Sequence, residues 1–169
     1  MRGSGKTRIG MEIASILKRE FVDLDDFIIA KTGKSIPEIV KEGGWPAFRK
    51  LEKEACCENS KKEGAIISTG GGTVLYKENV ECLKKNGYIV FLTVDVQELI
   101  DRLKDSKNRP PLKKNGKSFL DELEEVWQER KKAYLESADM VYDASKNTGN
   151  KKKDIYEKAK DIIYLLKEK

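Results

Sequence analysis

A parallel β-sheet covered by helices on both faces, a three-layer α/β/α arrangement, is the architecture this chain specifies. Three features lead there. Short apolar strands alternate with amphipathic helices along the chain, which implies a parallel sheet flanked on both sides. The chain has 169 residues, enough for one compact domain spanning 1–169. Glycine-rich segments lie where strands end or helices begin, and in such sheets ligands bind beyond the carboxyl ends of the strands.

The elements follow in order. Ile9, Ile13, Ile16 and Leu17 recur at helical spacing, so Thr7 to Lys18 reads as an amphipathic helix. Phe21 to Leu24 is a short apolar run ending in acids. Ile36 to Lys41 and Trp45 to Lys61 read as helical, with Phe48, Leu51 and Ala55 on one face. Ala65 to Thr69 is a buried-type strand that stops at three glycines, and Val80 and Leu83 mark another helix. Tyr88 to Val94 is the strongest strand, and Leu99 and Leu103 follow on a helix. Ser106 to Ser118 is polar, basic and punctuated by Pro and Gly, which is loop chemistry. A helix from Phe119 to Glu136, a strand around Met140 to Tyr142 and a closing helix carrying Ile155, Ala159, Ile162, Ile163 and Leu166 complete the chain.

Hydrophobic residues make up 38% and charged residues 37%, and no apolar run is long enough to cross a membrane. No signal peptide is visible after Met1, and the cell interior is the expected compartment. The formal charge of +5 favours anionic partners such as a nucleoside triphosphate. No recognition helix or stacking-aromatic signature supports nucleic acid instead. Histidine is absent, which excludes any histidine-based triad or general base. Three cysteines, Cys56, Cys57 and Cys82, form a poor disulfide framework and no zinc site, so Cys56 and Cys57 read as packing residues.

Gly3-Ser4-Gly5-Lys6-Thr7 opens the first helix. Glycines let backbone N–H groups turn towards a polyphosphate, and the helix N-terminus adds partial positive charge. Lys6 would neutralise the β- and γ-phosphates, and the Thr7 hydroxyl would coordinate Mg²⁺. In the full pattern, Gly-x-x-x-x-Gly-Lys-Thr, the first glycine would fall one residue before Met1. The strand that normally feeds the loop is absent too, which would expose the edges of two neighbours.

Asp23-Leu24-Asp25 follows an apolar strand, whose period of two would project both carboxylates to one side. One could hold a Mg²⁺-bound water while the other meets an acceptor hydroxyl; alternatively, Asp25 or Asp26 caps the next helix. Arg49 and Glu52 stand one helical turn apart, so Glu52 can hold the guanidinium fork for a carboxylate ligand, or the two form an ordinary surface ion pair. Gly70, Gly71 and Gly72 in succession carry a large entropic cost, which close approach of a ligand to the backbone would explain.

Taken together, the chain resembles the shikimate kinases, a branch of the nucleoside monophosphate kinase-like P-loop proteins. Gly-Ser-Gly-Lys-Thr, Asp23-x-Asp25, Gly44-Trp45-Pro46-Ala47-Phe48-Arg49-x-x-Glu52, Thr69-Gly70-Gly71-Gly72, Arg109-Pro110-Pro111-Leu112 and Glu129-Arg130 with Tyr134 are similar to that family's motifs, in the same order. The resemblance implies a P-loop kinase fold with a mobile lid over about 106–118 and an acceptor-binding region over about 24–61. It implies ATP and shikimate as substrates, Mg²⁺ as cofactor, and neither nucleic acid nor membrane as partner; a cytoplasmic monomer is the expectation. Gly3, Ser4, Gly5, Lys6 and Thr7 would bind the nucleotide, with Ser145 near the adenine. Thr7 and Asp23 would serve the metal. Asp25 would bind the acceptor hydroxyls and act as base or orienting group, with Lys6 and Arg109 as the other catalytic groups. Arg109 would also meet the nucleotide, unless it is only a solubilising charge. Arg49 and Arg130 would grip the acceptor carboxylate, and Gly70, Gly71 and Gly72 would line its site. A kinase of the gluconate type and a catalytically impaired nucleotide-binding fragment are the alternative readings.

Overall fold

The structure is a computed structural model describing residues 3–96, 98–99, 119–145 and 148–168. Leu103, the expected lid over about 106–118 and Arg109 lie outside the described residues. The elements are α1 (Lys6–Leu17), β1 (Phe21–Asp23), α2 (Leu24–Thr32), α3 (Ile36–Asn59), β2 (Ile66–Ser68), a 3-10 turn (Thr73–Leu75), α4 (Lys77–Lys84), β3 (Val90–Thr93), α5 (Phe119–Ser137), β4 (Met140–Asp143) and α6 (Lys151–Lys167). No described helix is long and apolar enough to cross a membrane.

Among the described residues the strands form two parallel pairs. β1 lies beside β2 with Phe21, Val22 and Asp23 opposite Ile66, Ile67 and Ser68. β3 lies beside β4 with Val90 opposite Met140 and Thr93 opposite Asp143. The pleat sends successive side chains to opposite faces, and two cores result. On one face Ile9 and Ile13 of α1 pack with Leu92, Met140 and Tyr142 and with Ala159, Ile162 and Ile163 of α6. Ile66 of β2 and Val90 of β3 both join this cluster, so the helical layer made by α1 and α6 holds both strand pairs. On the other face Val22, Leu24 and Ile28 pack with Ile39, Phe48, Ala55 and Cys56 of α3 and Leu83 of α4. Leu24 and Ile28 are sealed from solvent; burying each stabilises the fold by about 1.5–3 kcal/mol. Helices, strands and helices thus form the three expected layers.

Two local choices position the site. Gly5, at φ 94°, ends the loop in a left-handed turn and serves as the N-cap of α1, a conformation that a side chain disfavours. In α3 the helical path breaks at Gly44 (φ 70°, ψ 179°) and resumes, so Pro46 falls in a new first turn where its missing N–H costs nothing. The expectation of two helical stretches, to Lys41 and from Trp45, matches this break. Ser35 starts α3 with a reciprocal capping box, accepting from the Glu38 N–H while its own N–H donates to the Glu38 carboxylate.

The cysteine reading needs correction, because Cys57 and Cys82 form a disulfide between α3 and α4 and only Cys56 is a buried packing residue. Adjacent helical residues point about 100° apart, so Cys56 faces the core while Cys57 faces α4. An odd count does not forbid one bridge plus one free thiol. Burial, with Glu52 nearby, pushes the Cys56 thiol up to about 12, so it is inert as a nucleophile near neutral pH. The bridge closes a separation of 25 residues, which in the chain-entropy account stabilises the fold by roughly 3 kcal/mol. Replacing Cys82 by serine is therefore expected to lower the thermal midpoint by about 10 °C. Calorimetry of this variant and of the native protein, with and without a dithiol reductant, checks it: reductant should shift only the native protein.

Candidate active site

The Gly3–Thr7 loop leads directly into α1, so the positive end of the helix dipole faces the loop. Ser4 is 1% exposed, which holds the loop against the body of the domain. Parallel register places Asp23 opposite Ser68 at the carboxyl ends of β1 and β2. The Thr7 hydroxyl donates to Asp23 Oδ2 at 3.0 Å and lies 3.4 Å from the Ser68 hydroxyl. A hydroxyl and a carboxylate at the end of the loop form a hard-oxygen set suited to Mg²⁺. Among the described residues no group of three His, Cys, Asp or Glu could hold a metal ion.

The Asp23–Asp25 relationship differs in origin from strand alternation. β1 ends at Asp23, and Asp25 already lies in the first turn of α2. Asp23, rather than Asp25 or Asp26, is the cap: its Oδ1 accepts from the Asp25 N–H at 3.0 Å. One carboxylate thus caps α2 through Oδ1 and accepts from Thr7 through Oδ2. Burial raises the Asp25 carboxyl above its ordinary value; Asp23 and Glu52 add to the rise, and Lys6 opposes it. The raised value makes Asp25 a better proton acceptor than an ordinary aspartate.

The triple glycine brings the remaining groups together one residue at a time. A Cβ on Gly70 would lie 3.3 Å from Asp25 Oδ1 and 3.3 Å from Glu52 Oε1. The Gly71 carbonyl accepts from Arg130 Nη1 at 3.4 Å and from the Tyr134 hydroxyl at 2.5 Å. A Cβ on Gly72 would come within 2.9 Å of an Arg49 guanidinium nitrogen. The absence of side chains here lets an acid and two guanidinium groups crowd one loop.

Arg49 is held from several sides. Its Nη1 donates to Glu52 Oε2 at 2.7 Å, and Glu52 is only 1% exposed, so this is not a surface ion pair. Its guanidinium carbon lies 5.2–5.3 Å from the ring centres of Trp45, Phe48 and Tyr76. Arg130 and Tyr134 are one turn apart on α5, where Tyr134 stacks on Phe91 of β3 at 5.1 Å. Ser145 stands apart from this group. Its hydroxyl accepts from the Asp95 N–H at 2.8 Å and its N–H donates to Asp143 Oδ1 at 3.0 Å, tying the carboxyl ends of β3 and β4 together.

The family described as shikimate kinase matches residues 2–165. The chain belongs to the shikimate kinase family. A shikimate kinase of Pelotomaculum thermopropionicum is 38% identical over 169 residues, covering 98% of this chain and 91% of that protein. Shikimate kinase 2 of an Enterobacter species is 39% identical over 147 residues, 85% of this chain and 83% of its own. Among solved structures, a shikimate kinase from Acinetobacter baumannii in complex with shikimate superposes with a TM-score of 0.83 at 32% identity, covering 97% of this chain and 87% of that one. One from Bacteroides thetaiotaomicron gives 0.87 at 29% identity, covering 99% and 94%. The P-loop kinase fold expected from the sequence follows, as does ATP-dependent phosphotransfer; membership in this family sets the gluconate-type reading aside.

Sequence reasoning missed three contributors within this family site: Tyr76 against Arg49, Thr73 on Glu52, and Asn79 on the Thr73 carbonyl. Their only local signal is position just after the glycines. Tyr134 was legible in part, since its spacing of four from Arg130 puts both on one face of α5.

Proposed function

We propose that this shikimate kinase-family chain transfers the γ-phosphate of ATP to the 3-hydroxyl of shikimate with Asp25, Lys6, Arg49 and Arg130 as its working side chains. The supporting observation is the succession along the triple glycine, with Asp25 at Gly70, Arg130 at Gly71 and Arg49 at Gly72. One acid and two fixed cations suit a small acceptor bearing a hydroxyl and a carboxylate.

Arg49 and Arg130 bind the acceptor carboxylate and so fix the ring. The 3-hydroxyl then faces Asp25. As its oxygen bonds to the γ-phosphorus, its proton passes to the Asp25 carboxylate, and the bond from the γ-phosphorus to the β,γ-bridging oxygen breaks to release ADP. Backbone N–H groups of Gly3, Ser4 and Gly5 cradle the phosphates, and Lys6 neutralises the charge that grows on them. Thr7 and Asp23 would hold Mg²⁺, which when bound supplies further neutralisation of phosphate charge. Arg109, outside the described residues, would meet the transferred group, and Ser145 would border the adenine.

The test is transfer itself. Purified protein with MgATP should release ADP on addition of shikimate and not of gluconate, and mass spectrometry should identify shikimate 3-phosphate. ADP release with no phosphorylated shikimate would overturn the reading.

A further inference from the structure

The site contains a buried polar chain that neither the phosphate loop nor the acceptor cations explain. Thr73 is sealed from solvent, and its hydroxyl donates to Glu52 Oε1 at 2.8 Å. The other oxygen of the same carboxylate, Oε2, takes the Arg49 guanidinium at 2.7 Å. Asn79, 1% exposed on α4, donates through Nδ2 to the Thr73 carbonyl at 3.0 Å. The Thr73 N–H donates in turn to the Gly70 carbonyl at 3.3 Å. Asn79 is thus linked to Arg49 through Thr73 and Glu52, crossing from α4 through the 3-10 turn to α3.

We propose that Thr73 and Asn79 are positioning residues for acceptor binding, acting through Glu52 to fix the plane of the Arg49 guanidinium. This rests on the reading that Arg49 grips the acceptor carboxylate. A carboxylate held at one oxygen only can rotate about its last bond. Held at both, it presents Oε2 in one orientation, and the guanidinium plane follows it. The fork must match a second carboxylate, the acceptor's, so a rotation of the plane is felt as lost bidentate contact. Asn79 acts one step further back, by pinning the backbone from which the Thr73 hydroxyl reaches. The disulfide between Cys57 and Cys82 holds α3 and α4 together beside this chain, with Cys82 one turn after Asn79.

Thr73→Val keeps shape and removes the hydroxyl, and Thr73→Ser restores it. Thr73→Val is expected to raise the KM for shikimate about tenfold, the usual scale for a bond to a charged group, with the KM for ATP unchanged. Binding of the shikimate analogue whose carboxylate is reduced to a hydroxymethyl group should not change. Thr73→Ser should return to native values, and Asn79→Asp should shift the shikimate KM the same way by a smaller factor. In an Arg49→Ala background Thr73→Val should add nothing further. Equal loss of affinity for shikimate and for the reduced analogue, or no loss in either Thr73→Val or Asn79→Asp, overturns the proposal. An Arg49→Ala protein with native shikimate KM overturns instead the reading of Arg49 on which it rests.

Discussion

Replacing Asp25 by asparagine is expected to lower turnover by about 10²–10⁴-fold, the usual scale for losing a general base, and at the same time to stabilise the folded protein at neutral pH. The two effects share one cause. Asp25 is raised above an ordinary aspartate first by burial, then by Asp23 and Glu52, with Lys6 opposing. The native state therefore binds this proton more tightly than the unfolded chain, whose aspartates sit near 3.8. Stability attached to the protonated form is complete below that value and is lost as pH rises through the raised one. At neutral pH the ionised carboxylate is a burden on the fold, which the proposed role of Asp25 as acceptor of the hydroxyl proton would account for. Asparagine keeps the size and removes the charge. Turnover and thermal midpoint should thus move in opposite directions, and the midpoint difference should shrink as the pH is lowered towards the ordinary aspartate range. Native turnover, or a midpoint lowered equally at every pH, would contradict the role. The native enzyme should also show an acid limb in kcat/KM above the range of an exposed aspartate.

How far the sequence reveals this arrangement depends on the distance over which each part is decided. α1 and α6 are legible because their apolar period is local: Ile9 and Ile13, or Ile155, Ala159 and Ile162, announce one face each. The Arg49–Glu52 pair is legible for the same reason, being one turn apart, although only the fold makes it buried rather than superficial. Asp23 and Asp25 are legible as residues and misread as geometry. Strand alternation carries the pair only if β1 continues, and it ends where Asp23 caps α2. Contacts between distant segments are not legible at all. Tyr134 meets the Gly71 carbonyl across 63 positions, and Thr73 meets Glu52 across 21. The disulfide belongs to the same class, since whether Cys56 or Cys57 faces α4 depends on how α3 is rotated after Gly44. Binding sites concentrate such contacts, because loops from separate strands must converge at one edge of the sheet.

Arg49 offers the other large effect, and it can be divided into a binding part and a stability part. Arg49→Ala should raise the shikimate KM by about 10²-fold, since in the proposed reading it removes one of two cations for the acceptor carboxylate and the fork that aligns it. ATP affinity should change little, because the phosphate loop leads into α1 rather than α3. The same change strands Glu52, 1% exposed, with the Thr73 hydroxyl and without its cation. Breaking a buried pair from one side costs about 3–5 kcal/mol, so the thermal midpoint should drop as well. Adding Glu52→Gln to Arg49→Ala removes the stranded charge while leaving an amide to accept from Thr73. The double variant should recover most of the midpoint and none of the shikimate affinity. Recovery of both would mean that Arg49 serves only to neutralise Glu52, with the acceptor held by Arg130 and the glycine loop. Arg49→Lys distinguishes charge from shape: lysine keeps the charge beside Glu52 but lacks the fork and the flat face that lies among Trp45, Phe48 and Tyr76. It should preserve the midpoint better than alanine does and still bind shikimate at least tenfold more weakly than the native protein.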